Sequence, residues 1–476
     1  MGLVTPVDPV PVGELGKVHF VAIGGAGMSG IARIMLTRGV AVSGSDSAAS
    51  VLLDELAAAG ARVSVGHAAA NVDHADTVVV STAIRPDNPE LMEAQRRGLR
   101  VLHRAAALAS IMLGRQGIAV AGTHGKTTTT SMITTVLRHS GADPSYVIGG
   151  ILAETGLGAA EGTGPAVVVE ADESDGSFLM LAPDAAVVTS VEADHLDNYG
   201  TLAAIEQAFA AFAGRISAGG LLVACADDAG ARALTTVVPP AVTALSYGTA
   251  ADASYRVADI RALGMRTEFT VTGGPGTMLA GAGPVQLEIA VPGRHNALNA
   301  AAAFALTVQL GVSVADAVAG LAAYRGARRR MELKGVADGV QVIDSYAHHP
   351  TELAADLAAA RDVATDGRVI AIFQPHLFSR TRIFAADFGA ALSHADEVVV
   401  LDVYAAREDP EPGVTGELIS DAVPGGGAMF VPDAAAVPGV IAGLAKPGDL
   451  VLTMGAGDVT ALGPQILAAL HTRAAP

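Results

Sequence analysis

The sequence predicts an α/β protein of three successive domains, each built on a largely parallel sheet. Three observations point there. Apolar runs of strand length alternate with helical patterns along nearly all of the 476 residues, the signature of βαβ units whose sheets are covered on both faces. That length suits roughly three domains of ~150 residues. Apolar residues make up 51% of the chain, enough for several cores, yet no uninterrupted apolar stretch reaches the ~18 residues of a membrane span.

The first domain is expected over residues 1–115. Its Pro-rich start, 5–12, reads as a loose arm and carries no secretory signal pattern. KVHFVAI (17–23) reads as a strand, followed by a glycine turn, a helix over about 27–38 and a strand at 40–44. A further strand, TVVVST, covers 77–82, and the helix-like segment RAAALASIMLGR closes the domain. The second domain is expected over 116–331, with strands in IAVA (118–121), PAVVVEADE (165–173), AAVVTSVEADH (185–195) and LLVACAD (221–227). Residues 251–291 alternate and are rich in glycine, which predicts a small antiparallel patch on the parallel sheet. Helices follow at about 295–310 and 313–323. The third domain, 332–476, carries strands at 339–344, 368–373, 397–401 and 449–453, each followed by a helical segment.

The formal charge of −18 excludes a general nucleic-acid binder, which would need a basic face. It also means that phosphate anions must be held by local devices: helix N-termini, a few placed cations and metal ions. Cys225 is the only cysteine and sits in an apolar run, so it reads as a buried strand residue in a reducing cytoplasm.

The most informative device is Gly122-Thr123-His124-Gly125-Lys126-Thr127-Thr128, between a strand and a helix. Backbone N–H groups from Gly122 to Gly125 and the helix dipole can cradle phosphate, Lys126 adds a full charge, and the Thr127 hydroxyl can ligate Mg²⁺. Val120 stands where the common P-loop has its first glycine, so this is a compact variant. A second loop, Gly25-Ala26-Gly27-Met28-Ser29-Gly30, satisfies G-x-G-x-x-G between a strand and a helix, with Asp46 at the end of the next strand, in reach of a ribose hydroxyl. Two nucleotide-phosphate sites suggest one reacting nucleotide and one nucleotide-linked substrate.

Acids follow the strands of the second domain. Glu170-Ala171-Asp172-Glu173-Ser174-Asp175 is placed to bind Mg²⁺, and Glu192-Ala193-Asp194-His195 offers a further metal contact. Asn296 and Asn299, three apart on one helix face, can read a nucleobase edge or cap the helix. Arg328-Arg329-Arg330 at the domain boundary can clamp phosphate. In the third domain, Asp344 to Glu352 and Gln374 to Arg382 both lie at strand ends, where α/β sheets bind ligands. Arg380 and Arg382 there are candidates for gripping a carboxylate.

Taken together, G-T-H-G-K-T-T, E-A-D-E-S-D, E-A-D-H, H-N-x-x-N-A and Y-A-H-H-P-T-E, in that order from about 17 to 470, resemble the Mur ligases, ATP-dependent enzymes that extend the peptidoglycan precursor. The resemblance implies a Rossmann-like N-terminal domain, a P-loop ATPase-like central domain and a Rossmann-like C-terminal domain. H-F-x-x-I-G-G-A-G-M-S-G-I-A from His19, F-Q-P-H…S-R-T-R and D-V-Y-x-A-R-E-x-P are similar to the members that join L-alanine to UDP-N-acetylmuramate. Members that recycle a tripeptide onto the same sugar usually depart from the first loop, and rank second.

That resemblance implies the following roles. The loop 122–128 with Lys126 holds ATP, helped by Asn296, Asn299, Arg330 and Asp344. Thr127, Glu170 and His195 hold Mg²⁺, with Mn²⁺ as an alternative; Lys126, Glu170, His195 and Arg330 form the catalytic set. Gly25 to Gly30 and Asp46 hold the UDP-sugar. His348, His376 and Arg380 place the amino acid. The family commonly has Asp-Asp before Tyr-x-His-His-Pro, whereas this chain has Asp344-Ser345. The partners implied are small molecules only, for a cytoplasmic monomer or homodimer. A guanine-reading N-K-x-D is absent, and a dehydrogenase would leave the second loop and its acids without a task.

Overall fold

The computed structural model describes residues 3–406 and 408–474. The side chain of Ala26, an expected sugar-nucleotide contact, and Arg407 of the D-V-Y-x-A-R-E-x-P segment lie outside the described residues.

The first sheet has five parallel strands in the order Arg62–Val65, Val42–Asp46, Val18–Val21, Thr77–Val80, Arg100–His103. The chain starts in the middle and builds outward in both directions. The end of Val18–Val21 is therefore the point where strand order reverses, the place where such sheets bind ligands. The first glycine loop leaves from that point and starts the helix Ala26–Thr37. The two edge strands have only Leu102 buried between them, so neither carries a continuous apolar run in the sequence.

The second sheet has ten strands. Gln116–Ala121 lies between Ala166–Glu170 and Ala185–Val188, parallel to both. The phosphate loop and both acidic segments thus emerge at one sheet edge from three neighbouring strands. Leu221–Cys225 and Thr243–Gly248 extend one side, and Ser145–Val147 and Ala159–Ala160 the other. Tyr255–Leu263 and Arg266–Gly273 are joined by two residues, a hairpin, and Val285–Ile289 is the outermost strand. This hairpin matches the patch expected over 251–291.

The third sheet orders Glu332–Ala337, Val340–Ser345, Leu450–Met454, Val369–Phe373, Glu397–Val400, Ala428–Phe430. Only the first pair is antiparallel, with a register shift between Leu333 and Gly335. Val369, Ala371 and Phe373 face one buried core, while Ile370 and Ile372 face another. Both faces are covered, so the strand reads as a continuous apolar run.

By internal contacts the chain forms two compact units. One runs to Ala258 and includes Thr270–Leu287 and Leu298–Tyr324; the other comprises Asp259–Phe269, Glu288–Ala297 and the chain from Arg325. Two residues ahead of the Pro-rich segment 5–12 are tied to the second domain. The Val4 N–H donates to the Asp175 carbonyl at 2.9 Å, and Leu3 packs over Gly176.

Candidate active site

The phosphate loop is shaped by what surrounds it. Gly122 has φ +137°, and a Cβ there would lie 2.0 Å from Thr189 Oγ1, so no other residue fits. The loop ends at Gly125, which caps the helix Lys126–His139; Asn299 Oδ1 would be 2.6 Å from a Cβ at Gly125. Asn299 is therefore packed on the loop. Not every amide faces outward as the sequence suggested. The Thr123 N–H donates to the Ser190 carbonyl at 3.0 Å and the His124 N–H to Ser190 Oγ at 3.1 Å. The anion-facing groups are then those of the helix start, where the first N–H groups have no intrahelical acceptor. His124 stands 3.6 Å from Glu192, and Thr128 is buried in the first turn of the helix.

Lys126 Nζ donates to the carbonyls of Gly122 at 2.5 Å and Thr123 at 3.2 Å, and to Glu173 Oε1 at 2.8 Å. Burial alone would lower its pKa, but the carboxylates of Glu173, Asp172 and Glu170 outweigh it and keep the ammonium charged. Burial pushes Glu173 up to about 7, against the pull of Lys126 and with the push of Asp172. Glu173 Oε2 is buried without a hydrogen-bond partner among the described residues.

Thr127 Oγ1 donates to Glu170, 2.9 Å from Oε2, which also accepts the Gly149 N–H at 2.9 Å. A hydroxyl and a carboxylate on adjoining elements are the oxygen donors Mg²⁺ takes, so this pair fits the ion. His195 has φ +51°, precedes the short helix Leu196–Tyr199 and stands 3.5 Å from Asp194.

In the first domain, Asp46 Oδ2 accepts the Gly24 N–H at 2.9 Å and Oδ1 that of Ser47 at 2.8 Å, so its carboxylate braces the glycine loop. Gly25 is extended before the helix, and Met28 and Ser29 are buried. Gly30 serves packing: a Cβ there would lie 2.9 Å from that of Ala159 in the second sheet. Gly27 faces Arg104, whose guanidinium would be 3.3 Å from a Cβ at Gly27. Arg104 donates to Asp172. Burial would raise Asp172, but Arg104 and then Lys126 hold it well below the usual carboxylate range. A cavity of about 290 Å³ runs from the first glycine loop to the strand end at Glu170, lined by Gly27, Arg104, Gly149, Glu170 and Asp172 among others.

Sequence reasoning missed Arg104, and took Asp172 and Glu173 only as part of an Mg²⁺-binding segment, whereas they pair with Arg104 and Lys126. Their one signal was a cation at a strand–helix junction in an acidic chain and two acids between the residues it had chosen.

The second unit holds the remaining candidates. Arg329 and Arg330 flank the Tyr346 ring at 4.8 and 5.1 Å. Arg329 is committed to the Gly455 carbonyl at 2.5 Å, while Arg330 stands 3.9 Å from Glu352. Arg328 is exposed. Asp344 is fully buried, accepting from Thr453 at 2.7 Å and Thr460 at 2.6 Å, with Arg329 at 3.5 Å. Those bonds tie it to its own sheet. Ser345, the departure from Asp-Asp, donates to Asp356. His348 and His376, at the ends of strands either side of Leu450–Met454, meet with ring centres 6.0 Å apart, and His376 stacks on Tyr404 at 5.9 Å. Arg380 is buried in the helix Phe378–Leu392 that follows. Asn296 Nδ2 donates to the Pro292 carbonyl at 2.7 Å, shaping the helix entry.

Comparisons with known proteins agree with this layout. Residues 17–116 match the Mur ligase catalytic domain, 120–307 the Mur ligase middle domain and 329–457 the Mur ligase glutamate ligase domain. The chain is 58% identical to the UDP-N-acetylmuramate–L-alanine ligase of Thermobifida fusca, covering 99% of this chain and 100% of that one. It is 54% identical to the enzyme of the same name from Kineococcus radiotolerans, over 97% and 98%. Among solved structures, the UDP-N-acetylmuramate–alanine ligase of Thermotoga maritima superposes with a TM-score of 0.81 at 30% identity, over 96% and 99%. A murein peptide ligase of Psychrobacter arcticus gives 0.70 at 25%, over 97% and 100%. With two nucleotide-type loops converging on one acidic sheet edge and matches along nearly its whole length, this chain belongs to the Mur ligase family.

Proposed function

We propose that this chain joins L-alanine to the lactyl carboxylate of UDP-N-acetylmuramate at the expense of ATP, through an acyl phosphate, in the cytoplasm. The observation that carries the reading is the cavity reaching from Gly27 in the first loop to Glu170 beside Thr127. It would let a sugar held by one loop meet a phosphate held by the other.

In this reading Gly25 to Gly30 hold the UDP pyrophosphate, and the helix start at Lys126 holds the β- and γ-phosphates. Thr127 and Glu170, with His195, would hold Mg²⁺, which when bound offsets charge on the phosphates. A carboxylate oxygen of the sugar attacks the γ-phosphorus, the bond to the ADP oxygen breaks, and ADP leaves with the electron pair. The alanine nitrogen then attacks the acyl carbon, the carbon–oxygen bond to phosphate breaks, and a proton is lost from nitrogen. Lys126 stabilises the transferring group. His348, His376 and Arg380 would seat the amino acid, and Arg330, Asn296 and Asn299 would face the nucleotide. We take the domain limits as 1–115, 116–331 and 332–476.

Phosphate release with ATP, Mg²⁺ and the sugar nucleotide, with the amino acid varied, tests this. Stimulation by L-alanine is expected, and Lys126→Ala should lower turnover at least ~100-fold while the protein stays folded. Stimulation by a tripeptide in place of alanine would assign the chain to peptide recycling.

A further inference from the structure

Arg104 opens the helix Arg104–Met112 and projects from the first domain toward the acids of the second. It is the only cation among the described residues lining the cavity, and two carboxylates, Glu170 and Asp172, line that same cavity. Its guanidinium lies against Gly27 on one side and donates to Asp172 on the other. Asp172 also accepts the Ser174 N–H at 3.0 Å, which holds it in place. The cavity wall is otherwise apolar or glycine near Arg104, with Ile31 and Leu108 beside it. A planar fork of donors, three-quarters covered and aimed into a small cavity, is suited to a carboxylate.

Which anion it takes follows from position. In the ligase reading the pyrophosphate takes the start of the helix Ala26–Thr37. Arg104 lies further on, between that loop and Glu170, whose carboxylate meets the Thr127 hydroxyl. The group that reacts with the γ-phosphate has to lie there. Two anions that must come within bonding distance repel one another, and a cation beside one of them lowers that repulsion.

We propose that Arg104 is the specificity-determining residue that grips the lactyl carboxylate of the sugar nucleotide, with Asp172 holding its guanidinium in place until substrate arrives. The proposal rests on the ligase reading, and the test separates the two. Wild-type turnover with alanine decides the ligase reading; the Arg104 variants decide this one. Binding of UDP-N-acetylmuramate and of UDP-N-acetylglucosamine, which shares the UDP and sugar but lacks the carboxylate, is measured by calorimetry for the wild type, Arg104→Ala and Arg104→Lys. Arg104→Ala should weaken the carboxylate-bearing ligand on the order of 10- to 100-fold and leave the other unchanged. Retained binding of UDP-N-acetylglucosamine also reports a folded site. Arg104→Lys should show the same split to a smaller degree, and the KM for ATP should stay as in the wild type. Equal weakening of both ligands in the two variants would place Arg104 on the pyrophosphate or in the scaffold, and would overturn the proposal. So would unchanged binding of both.

Discussion

Lys126 spends all three of its protons inside the protein, on Gly122, Thr123 and Glu173. An incoming phosphate has to displace one of them, and Glu173 is the partner whose charge is most costly to keep. Its pKa is raised from 4.5 to about 7. A carboxyl raised in the fold contributes stability that is complete below its ordinary value and is lost as pH rises through its folded value. The ligand-free protein should therefore lose melting temperature between about pH 5 and about pH 8 through this group, and Glu173→Gln should flatten that slope. Equal slopes in the two proteins would contradict the shift. The pairing of Thr127 with Glu170 was legible in the sequence because each ends or begins an element with a strong local signature. Arg104 with Asp172 was not. Those residues are 68 apart, and only the packing of the helices Ala26–Thr37 and Arg104–Met112 on the second domain brings them together.

At the scale of elements, central strands announced themselves and edge strands did not. Ala166–Glu170 and Val369–Phe373 are buried along nearly their whole length, and covered strands read as apolar runs. Arg62–Val65 has no buried residue, so periodicity had nothing to report. Buried polar groups were equally hidden. Glu90, in the helix Pro89–Arg96, is fully buried and accepts from Ser45 Oγ at 2.6 Å, Asn71 Nδ2 at 2.5 Å and the Ala68 N–H at 3.2 Å. His19 stands 3.4 Å away. Burial would raise this carboxyl, but its bonds from His19, Ser45 and Asn71 bring it from 4.5 to about 2. The network ties the strands Val18–Val21 and Val42–Asp46 to the helix beside them. Glu90→Ala should cost about 3 kcal/mol or more in urea unfolding, since it strands several buried donors. The wild type should lose this contribution as pH falls from 4.5 toward 2, and the variant should not. A loss below about 1 kcal/mol would mean that the donors find other acceptors.

For the whole molecule, the fold follows from three largely parallel sheets whose loops gather at strand ends, and the order of motifs along the chain was enough to anticipate it. What the sequence could not convey is the division of labour at the acidic edge. Glu170 faces Thr127, Asp172 faces Arg104 and Glu173 faces Lys126, so three acids within four positions serve three different partners. That arrangement suits a site where a carboxylate is activated rather than one where a nucleotide is merely bound. The most direct measurement is oxygen transfer. UDP-N-acetylmuramate labelled with ¹⁸O in both lactyl carboxylate oxygens is turned over with ATP, Mg²⁺ and L-alanine, and the released phosphate is analysed by mass. One ¹⁸O per phosphate is expected, because the bridging oxygen of the acyl phosphate leaves with phosphorus. Unlabelled phosphate alongside amide product would contradict activation of the carboxylate at the site beside Lys126.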